Sequence, residues 1–257
     1  HIYCPESGLQ DELKSILSMY KEFYTKFKLN NYYFRLSIRG KENSAKFIGD
    51  SNLWEKAEKI LADVLNTLKI PYEIGEGEAA FYGPKIDIQF KNLLGREETV
   101  STIQVDFQAA IKFDLSYIAE NGEASKPVVI HRAPLSTHER FISFILEYYG
   151  GAFPVWLAPV QVMLVPVNAV FNEHCLAIEK ELRNLFIRSE TDVSDNSFNK
   201  KIRTNVTRKI PIILIVGNNE VQNNEVTVRR YGKTEQTKMK KDDFIKTILD
   251  EIKNREF

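Results

Sequence analysis

Between residues 85 and 107 the chain alternates with a period of two, twice over, and this pattern dictates a β-hairpin. In Lys85–Lys91 the apolar Ile86, Ile88 and Phe90 take one face, and Lys85, Asp87 and Gln89 take the other. Leu94-Gly95-Arg96 supplies a turn. In the return run Thr102–Phe107, Ile103, Val105 and Phe107 oppose Thr102, Gln104 and Asp106. The polar face admits two readings: the floor of a polar pocket, or a face wetted by solvent.

The flanking segments extend this frame. Pro127–Ile130 reads as a third strand that runs into His131-Arg132. A helix should follow, with Ser136 as its N-cap and Glu139 completing a capping box. Its buried stripe would be His138, Ile142, Ile145, Leu146 and Tyr149, and Gly150-Gly151 would end it. Upstream, Leu9, Leu13, Ile16, Leu17, Tyr20 and Phe27 share one helical stripe. Tyr32–Ile38 alternates as a strand, and Trp54–Leu68 is helical until Pro71 closes it. The expected class is α+β: an antiparallel sheet backed by helices.

Beyond the connector Phe153–Pro159 the pattern changes. Val160–Val167 and Ile210–Val216 are continuous apolar runs, the mark of strands buried on both faces. Helices are expected at Glu173–Phe186, Asn199–Arg208 and Asp242–Ile252, with strands near Thr191 and at Glu225–Arg230. This predicts a second domain of α/β type with a mixed, mostly parallel sheet. The boundary is placed near residue 158, giving domains 1–158 and 159–257.

Composition narrows the function classes. Lys plus Arg is 35 and Asp plus Glu is 35, so no global basic field draws in nucleic acid, although a local basic face remains open. Cys4 and Cys175 have no CxxC spacing, which speaks against a disulfide framework and fits a reducing, cytoplasmic setting. No apolar run reaches the roughly 20 residues needed to span a bilayer, so no membrane association is expected. His1 stands where an initiator Met would, so the chain is expected to be a fragment or a processed product. HExxH, GxSxG and the Walker phosphate loop are all missing.

The candidate chemistry lies in a few residues, each with a plainer alternative. Arg140, on the first turn of the helix after His131, can present a planar guanidinium to a phosphate. The alternative is a surface salt bridge and a satisfied core histidine. In Ala80-Phe-Tyr-Gly-Pro-Lys-Ile-Asp87 the Gly-Pro turn sets Tyr82 and Lys85 at the mouth of the sheet, though such turns are common. His1 and His131 could share a metal ion, on weak grounds from spacing alone. Arg203, Arg208, Lys209, Arg229, Arg230, Lys200-Lys201 and the run Lys238–Lys241 offer RNA contacts or a solvated charged face.

Five segments carry a resemblance. They are His1–Cys4, Ala80–Asp87, Thr102–Phe107, His131–Phe141 (His-Arg-Ala-Pro-Leu-Ser-Thr-His-Glu-Arg-Phe) and Phe153–Val162 (Phe-Pro-Val-Trp-Leu-Ala-Pro-Val-Gln-Val). In order and spacing they resemble threonyl-tRNA synthetase, a class II aminoacyl-tRNA synthetase, over nearly the whole chain. The resemblance implies part of a class II catalytic domain followed by an anticodon-binding domain. It implies ATP-dependent, Mg2+-assisted activation of L-threonine to the adenylate, then transfer to the 3′ end of tRNA(Thr). His131 and His1 match zinc-ligand positions, Tyr82 a contact to the threonine amine, and Gln104 the same pocket. Arg140 matches the arginine that holds the ATP γ-phosphate. Lys85 and Thr137 match positions lining the adenylate site. Arg203, Glu220 and Arg229 match anticodon-reading positions.

Departures and gaps accompany the match. Asp195 stands where the family usually has Asn, and Lys209 where it has Arg. Thr99 stands where a Gln commonly contacts ATP, and Ser101 where Gly is common. The family's dimer-forming motif, its second motif, its cysteine zinc ligand (which Cys4 is not), two residues of the threonine pocket and its editing region all match upstream of His1. The chain alone is therefore expected to be inactive, and the full-length enzyme a homodimer. Alternatives are a non-catalytic tRNA-binding paralogue and a related class II enzyme such as prolyl-tRNA synthetase.

Overall fold

A computed structural model describes residues 1–40, 46–92 and 94–257, and the chain divides into two compact units, His1–Phe144 and Ile145–Phe257. The first unit contains β1 (Ile2–Cys4), α1 (Leu9–Lys26), β2 (Tyr32–Ile38), α2 (Ser51–Thr67), β3 (Tyr72–Glu76), β4 (Lys85–Lys91) and β5 (Glu97–Asp106). It continues with α3 (Gln108–Lys112), the small hairpin β6 (Tyr117–Ile118) and β7 (Ala124–Ser125), β8 (Val128–Ala133), and the start of α4 (His138–Tyr148). Six strands form one sheet in the order β1-β8-β5-β4-β2-β3, antiparallel except for the β2–β3 pair.

The alternation read from the sequence sets this sheet's two faces. Ile86, Ile88, Phe90, Ile103 and Val105 are buried on the apolar face. The helices supply its cover: the Tyr24 ring of α1 lies 5.5 Å from Phe90, and Phe144 of α4 lies 5.0 Å from it. The α1 stripe is buried as its spacing predicts from Leu9 to Tyr20; Tyr24, which the spacing reading leaves out, is buried too, and Phe27, which it includes, is only half-buried just past the end of the helix. Each fully buried Leu of that stripe contributes roughly 1.5–3 kcal/mol.

The hairpin turn is tied by the Asn92 N–H donating to the Arg96 carbonyl at 2.9 Å, with Gly95 at φ +74°. A bulge between Ile88 and Gln89 shifts the β4–β5 register once.

The start of α4 departs from expectation. Ser136 has φ +57°, a left-handed conformation that an N-cap does not adopt. The cap is Thr137, whose Oγ1 accepts from the Arg140 N–H at 3.4 Å. The helix turns Phe141, Phe144 and Ile145 inward, while His138 is exposed, Ile142 is 58% and Leu146 51% exposed. Its end is as read: Gly150 and Gly151, at φ +58° and +77°, donate to the carbonyls of Glu147 and Leu146.

The second unit holds β9 (Val162–Pro166), α5 (Asn172–Asn184), β10 (Ser189–Thr191), α6 (Phe198–Thr207), β11 (Ile212–Val216), α7 (Asn218–Asn223), β12 (Glu225–Arg230), β13 (Gln236–Lys240) and α8 (Lys241–Asn254). Its sheet runs β10-β9-β11-β12-β13, the first three strands parallel and β12 and β13 antiparallel. One face packs Val162, Leu164, Leu214 and Val228 with residues of α5 and α8, such as Ile178 and Phe244. The other packs Met163, Val165, Ile213 and Ile215 with Phe198, Ile202 and Val206 of α6. The polar β13 and the short α7 have no strong apolar period, and the sequence reading passes over both.

Gly83 fixes the strand that carries the site. A Cβ on it would sit 2.1 Å from the Val105 carbonyl oxygen, so no larger residue fits without backbone movement. Gly83→Ala is expected to lower the unfolding free energy by about 1–3 kcal/mol, measured by urea denaturation. A change below about 0.5 kcal/mol, the ordinary range of surface substitutions, would show that the approach is not tight.

Candidate active site and nucleic-acid interface

The register of the first sheet puts polar side chains in rows. Gln104 pairs with His131 on one side and Lys85 on the other, and Lys85 pairs with Ser37. His1 follows directly from the Ile2–Ile130 pair, which brings it beside His131. A second row runs Ala133, Thr102, Asp87, Arg35, Glu73.

At one end of the first row four predicted residues meet. The rings of His1 and His131 lie 4.6 Å apart, edge to face. Tyr82 lies 5.5 Å from His131, and its hydroxyl donates to Gln104 Oε1. Burial first, and then the Asp106 charge, push the Tyr82 phenol above the ordinary tyrosine range. It therefore stays protonated at neutral pH and remains a donor. Among the described residues no set of three His, Cys, Asp or Glu side chains is placed to hold a metal. Cys4 is buried at the far end of β1, paired with Val128.

Lys85 is held by a carboxylate. Asp87 is only 1% exposed, and its Oδ2 accepts from Lys85 Nζ and, at 2.8 Å, from Ser37 Oγ. Its Oδ1 accepts from Thr102 Oγ1 at 2.9 Å. Three donors satisfy a charge that would otherwise be costly to bury. Sequence reading placed Asp87 on the polar face but gave it no role.

Thr137 and Arg140 sit at the exposed start of α4, one turn after β8. Arg140 forms no ion pair among the described residues. The turn before it is tied to the sheet, because Ser101 Oγ donates to the Pro134 carbonyl and accepts from the Tyr24 hydroxyl.

In the second unit, α6 covers the face of β9 and β11, and β12 and β13 continue that face past the helix. Arg229 pairs with Ile213 and Gln236, and Thr227 pairs with Ile215 and Lys238. A depression of about 350 Å³ is lined there by Val206, Ile213, Arg229, Tyr231 and Lys233. Glu220, at the start of α7, accepts from the Gly217 N–H and Thr227 Oγ1, each at 3.0 Å, and pairs with Lys238 at 3.2 Å. Burial pushes its carboxyl up, but the bonds from Thr227, Lys238 and the backbone outweigh burial and hold it below the ordinary glutamate range.

Several cations read as a basic surface are already paired. Arg208 meets Glu190, Arg230 meets Glu251 through both guanidinium arms, Lys240 meets Glu225 and Lys241 meets Glu181. Lys209, at φ +56°, donates to the Gly150 carbonyl. Arg203 is exposed on α6, and neither it nor Arg229 forms an ion pair among the described residues. Asp195 is exposed in a loop that α6 anchors: Lys201 Nζ and Asn205 Nδ2, both buried side chains, donate to the Asp192 carbonyl and carboxylate at 2.9 Å.

Residues 1–149 match the family model of the tRNA synthetase class II core domain (G, H, P, S and T), and residues 161–251 match that of the anticodon binding domain. The chain belongs to the class II tRNA synthetase family. It is 43% identical over 254 residues to a threonine–tRNA ligase of Staphylococcus carnosus, covering 98% of this chain and 39% of the relative. The corresponding ligase of Oceanobacillus iheyensis is 41% identical over 256 residues, covering 99% and 40%. A crystal structure of the RNA binding domain of threonyl-tRNA synthetase from Cryptosporidium parvum superposes with a TM-score of 0.88 at 31% identity, covering 97% of this chain and 62% of that one. The chain thus spans about two fifths of the length of these curated relatives, whose C-terminal part it resembles.

Thr99 and Ser101 are both tied into their surroundings by hydrogen bonds. Thr99 pairs with Gln89 across the β4–β5 ladder and donates to the Oε1 of that buried side chain at 2.9 Å. Ser101 Oγ is used by the Tyr24 hydroxyl and the Pro134 carbonyl.

The depressed Glu220 carboxyl gives a pH signature with a definite sign. A group whose folded value lies below its unfolded value of about 4.3 contributes stability that is present above about pH 4.3 and is lost as pH falls through the folded value. Glu220→Gln should therefore flatten the acid limb of stability against pH below that point. An unchanged limb would mean that the carboxylate network is not formed.

Proposed function

We propose that the chain is the C-terminal part of a threonine–tRNA ligase that activates L-threonine with ATP and transfers it to the 3′ end of tRNA(Thr). The observation that carries this reading is the cluster of Tyr82, Gln104, His131 and His1 at one end of a polar sheet face. A protein that only binds tRNA has no use for that cluster.

In this reading His1 and His131 are two zinc ligands, and a cysteine outside the matched segment is the third. The residues present fit that role only in part, as two of the ligands. Zinc, when bound, supplies a Lewis acid that holds the amino acid's amine and hydroxyl. Tyr82 orients the amine, with Gln104 fixing the phenol's direction. Valine lacks the hydroxyl and leaves buried polar groups unmet, a discrimination on the order of 10^4 in sites of this kind. Lys85, held by Asp87, faces the adenylate as a fixed point charge. Thr137 lines the same site, and Arg140 takes the γ-phosphate of ATP with Mg2+, near the positive end of α4.

The second unit reads the anticodon through Arg203, Glu220 and Arg229. Asp195 and Lys209 occupy two further positions with altered chemistry. A carboxylate at 195 only accepts hydrogen bonds and repels phosphate, and Lys209 is engaged with Gly150. The domains run 1–158 and 159–257, and the intact ligase is a cytoplasmic homodimer. No helix among the described residues is long and apolar enough to cross a membrane.

The test is amino-acid-dependent exchange of pyrophosphate into ATP by the intact ligase, run with glycine, histidine, proline, serine and threonine. Exchange with threonine alone is expected, and faster exchange with proline would overturn the assignment. Arg140→Ala should lower kcat/KM for ATP by on the order of 10²–10³-fold; a change under tenfold would remove Arg140 from the phosphate site. His131→Ala should strip zinc, and retained stoichiometric metal would end its role as a ligand.

A further inference from the structure

Asp106 is left without a role by everything above, although it touches the centre of the site. It closes β5 and is 6% exposed, and both of its oxygens are engaged. Oδ1 accepts from the backbone N–H groups of Gln108 and Ala109, each at 2.8 Å, which satisfies two otherwise unpaired amides at the start of α3. Oδ2 lies 2.9 Å from His131 Nε2.

The chemistry of that contact is asymmetric. A carboxylate can only accept, so the ring nitrogen facing it carries the hydrogen. A neutral imidazole has a single N–H, which leaves Nδ1 as the bare nitrogen with a free lone pair. The carboxylate cannot rotate away without dropping both amides of α3. Tyr82 does not compete for either ring nitrogen, because its hydroxyl is spent on Gln104. Histidines that ligate metals are commonly held this way, through their second nitrogen.

We propose that Asp106 is the positioning residue of His131, locking the ring in its Nε2–H tautomer so that Nδ1 is the nitrogen offered to a metal ion beside His1. The tautomer stands on the hydrogen bonds alone. Only the metal clause rests on the zinc reading above, and the two parts fail separately.

Asp106→Asn is the decisive substitution because it keeps size and shape while reversing the polarity of one contact. Its amide oxygen replaces Oδ1 as acceptor for Gln108 and Ala109. Its NH2 group then faces His131 and can only donate, which drives the ring proton to Nδ1 and closes the lone pair there.

The first readout is the ring tautomer itself, which does not depend on activity or on bound metal. Long-range ¹H–¹⁵N correlation on the metal-free 257-residue chain, labelled at histidine and kept in mildly alkaline buffer, reports each ring's tautomer, with His131→Gln giving the assignment. An Nε2–H pattern for His131 is expected in the parent chain and an Nδ1–H pattern in Asp106→Asn. A parent His131 in the Nδ1–H form, or in the averaged form of the exposed His138, overturns the proposal. The second readout is zinc affinity of the intact ligase, measured by competition with a chelator. Asp106→Asn should bind zinc about 10–100-fold more weakly than the parent. If Asp106→Asn binds as tightly as the parent while His131→Gln does not, the positioning role falls and the zinc reading survives. If His131→Gln binds as tightly as the parent, the metal clause falls.

Discussion

The pairing of β4, β5 and β8 is the constraint from which the first unit's chemistry follows. Their register sets Lys85, Gln104 and His131 side by side on one face while Ile86, Ile103 and Ile130 fill the other. A slip of one residue would exchange the two sets and turn the ring cluster into the core. Two devices hold the register. Gly83 lets β4 begin in near contact with the Val105 carbonyl. Asp87, buried between Ser37 and Thr102, bonds across to both neighbouring strands. A polar face that also binds its own side chains together is rigid, and rigidity is what a site for small polar ligands requires.

Much of this was legible from residue order. Period-two alternation placed the hairpin and its polar face, and apolar runs placed β9 and β11. The resemblance singled out Tyr82, Gln104, His1 and His131, which the fold brings together. The misreadings have local causes. Ser136 has the chemistry of a cap, but the Tyr24–Ser101–Pro134 chain of hydrogen bonds ties the preceding turn to the sheet, and the cap moves to Thr137. Ile142 and Leu146 have the spacing of a buried stripe, yet the helix turns Phe141 and Phe144 inward against Phe27 and Phe90. β13 is a row of polar and charged residues, and only its pairing to β12 makes it a strand. Alternation placed Asp106 on the polar face but gave it no role; its contacts come from what β8 and α3 present to it.

The second unit shows how a neutral chain can still offer a basic surface. Among the lysines and arginines that looked like a charged patch, Arg208, Arg230, Lys238, Lys240 and Lys241 are matched with carboxylates, and Lys201 and Lys209 are engaged by backbone carbonyls. Arg203 and Arg229 are spared from that pairing among the described residues. Arg229 and Lys233 line the depression together with Val206 and Ile213, and in the proposed reading cations beside apolar surface suit unstacked bases. Glu220 is tied into the same surface by Thr227 and Lys238, so its remaining accepting capacity has a fixed direction.

The central claim is that the polar face of the six-stranded sheet is where threonine and adenylate sit. Chemical-shift mapping with a non-hydrolysable threonyl-adenylate analogue on the labelled intact ligase tests it directly. The account predicts that the largest shifts fall on Tyr82, Lys85, Gln104 and His131, with Ile86 and Ile88 on the opposite face little changed. Shifts confined to the apolar face and its helices, or to residues 145–257, would contradict it.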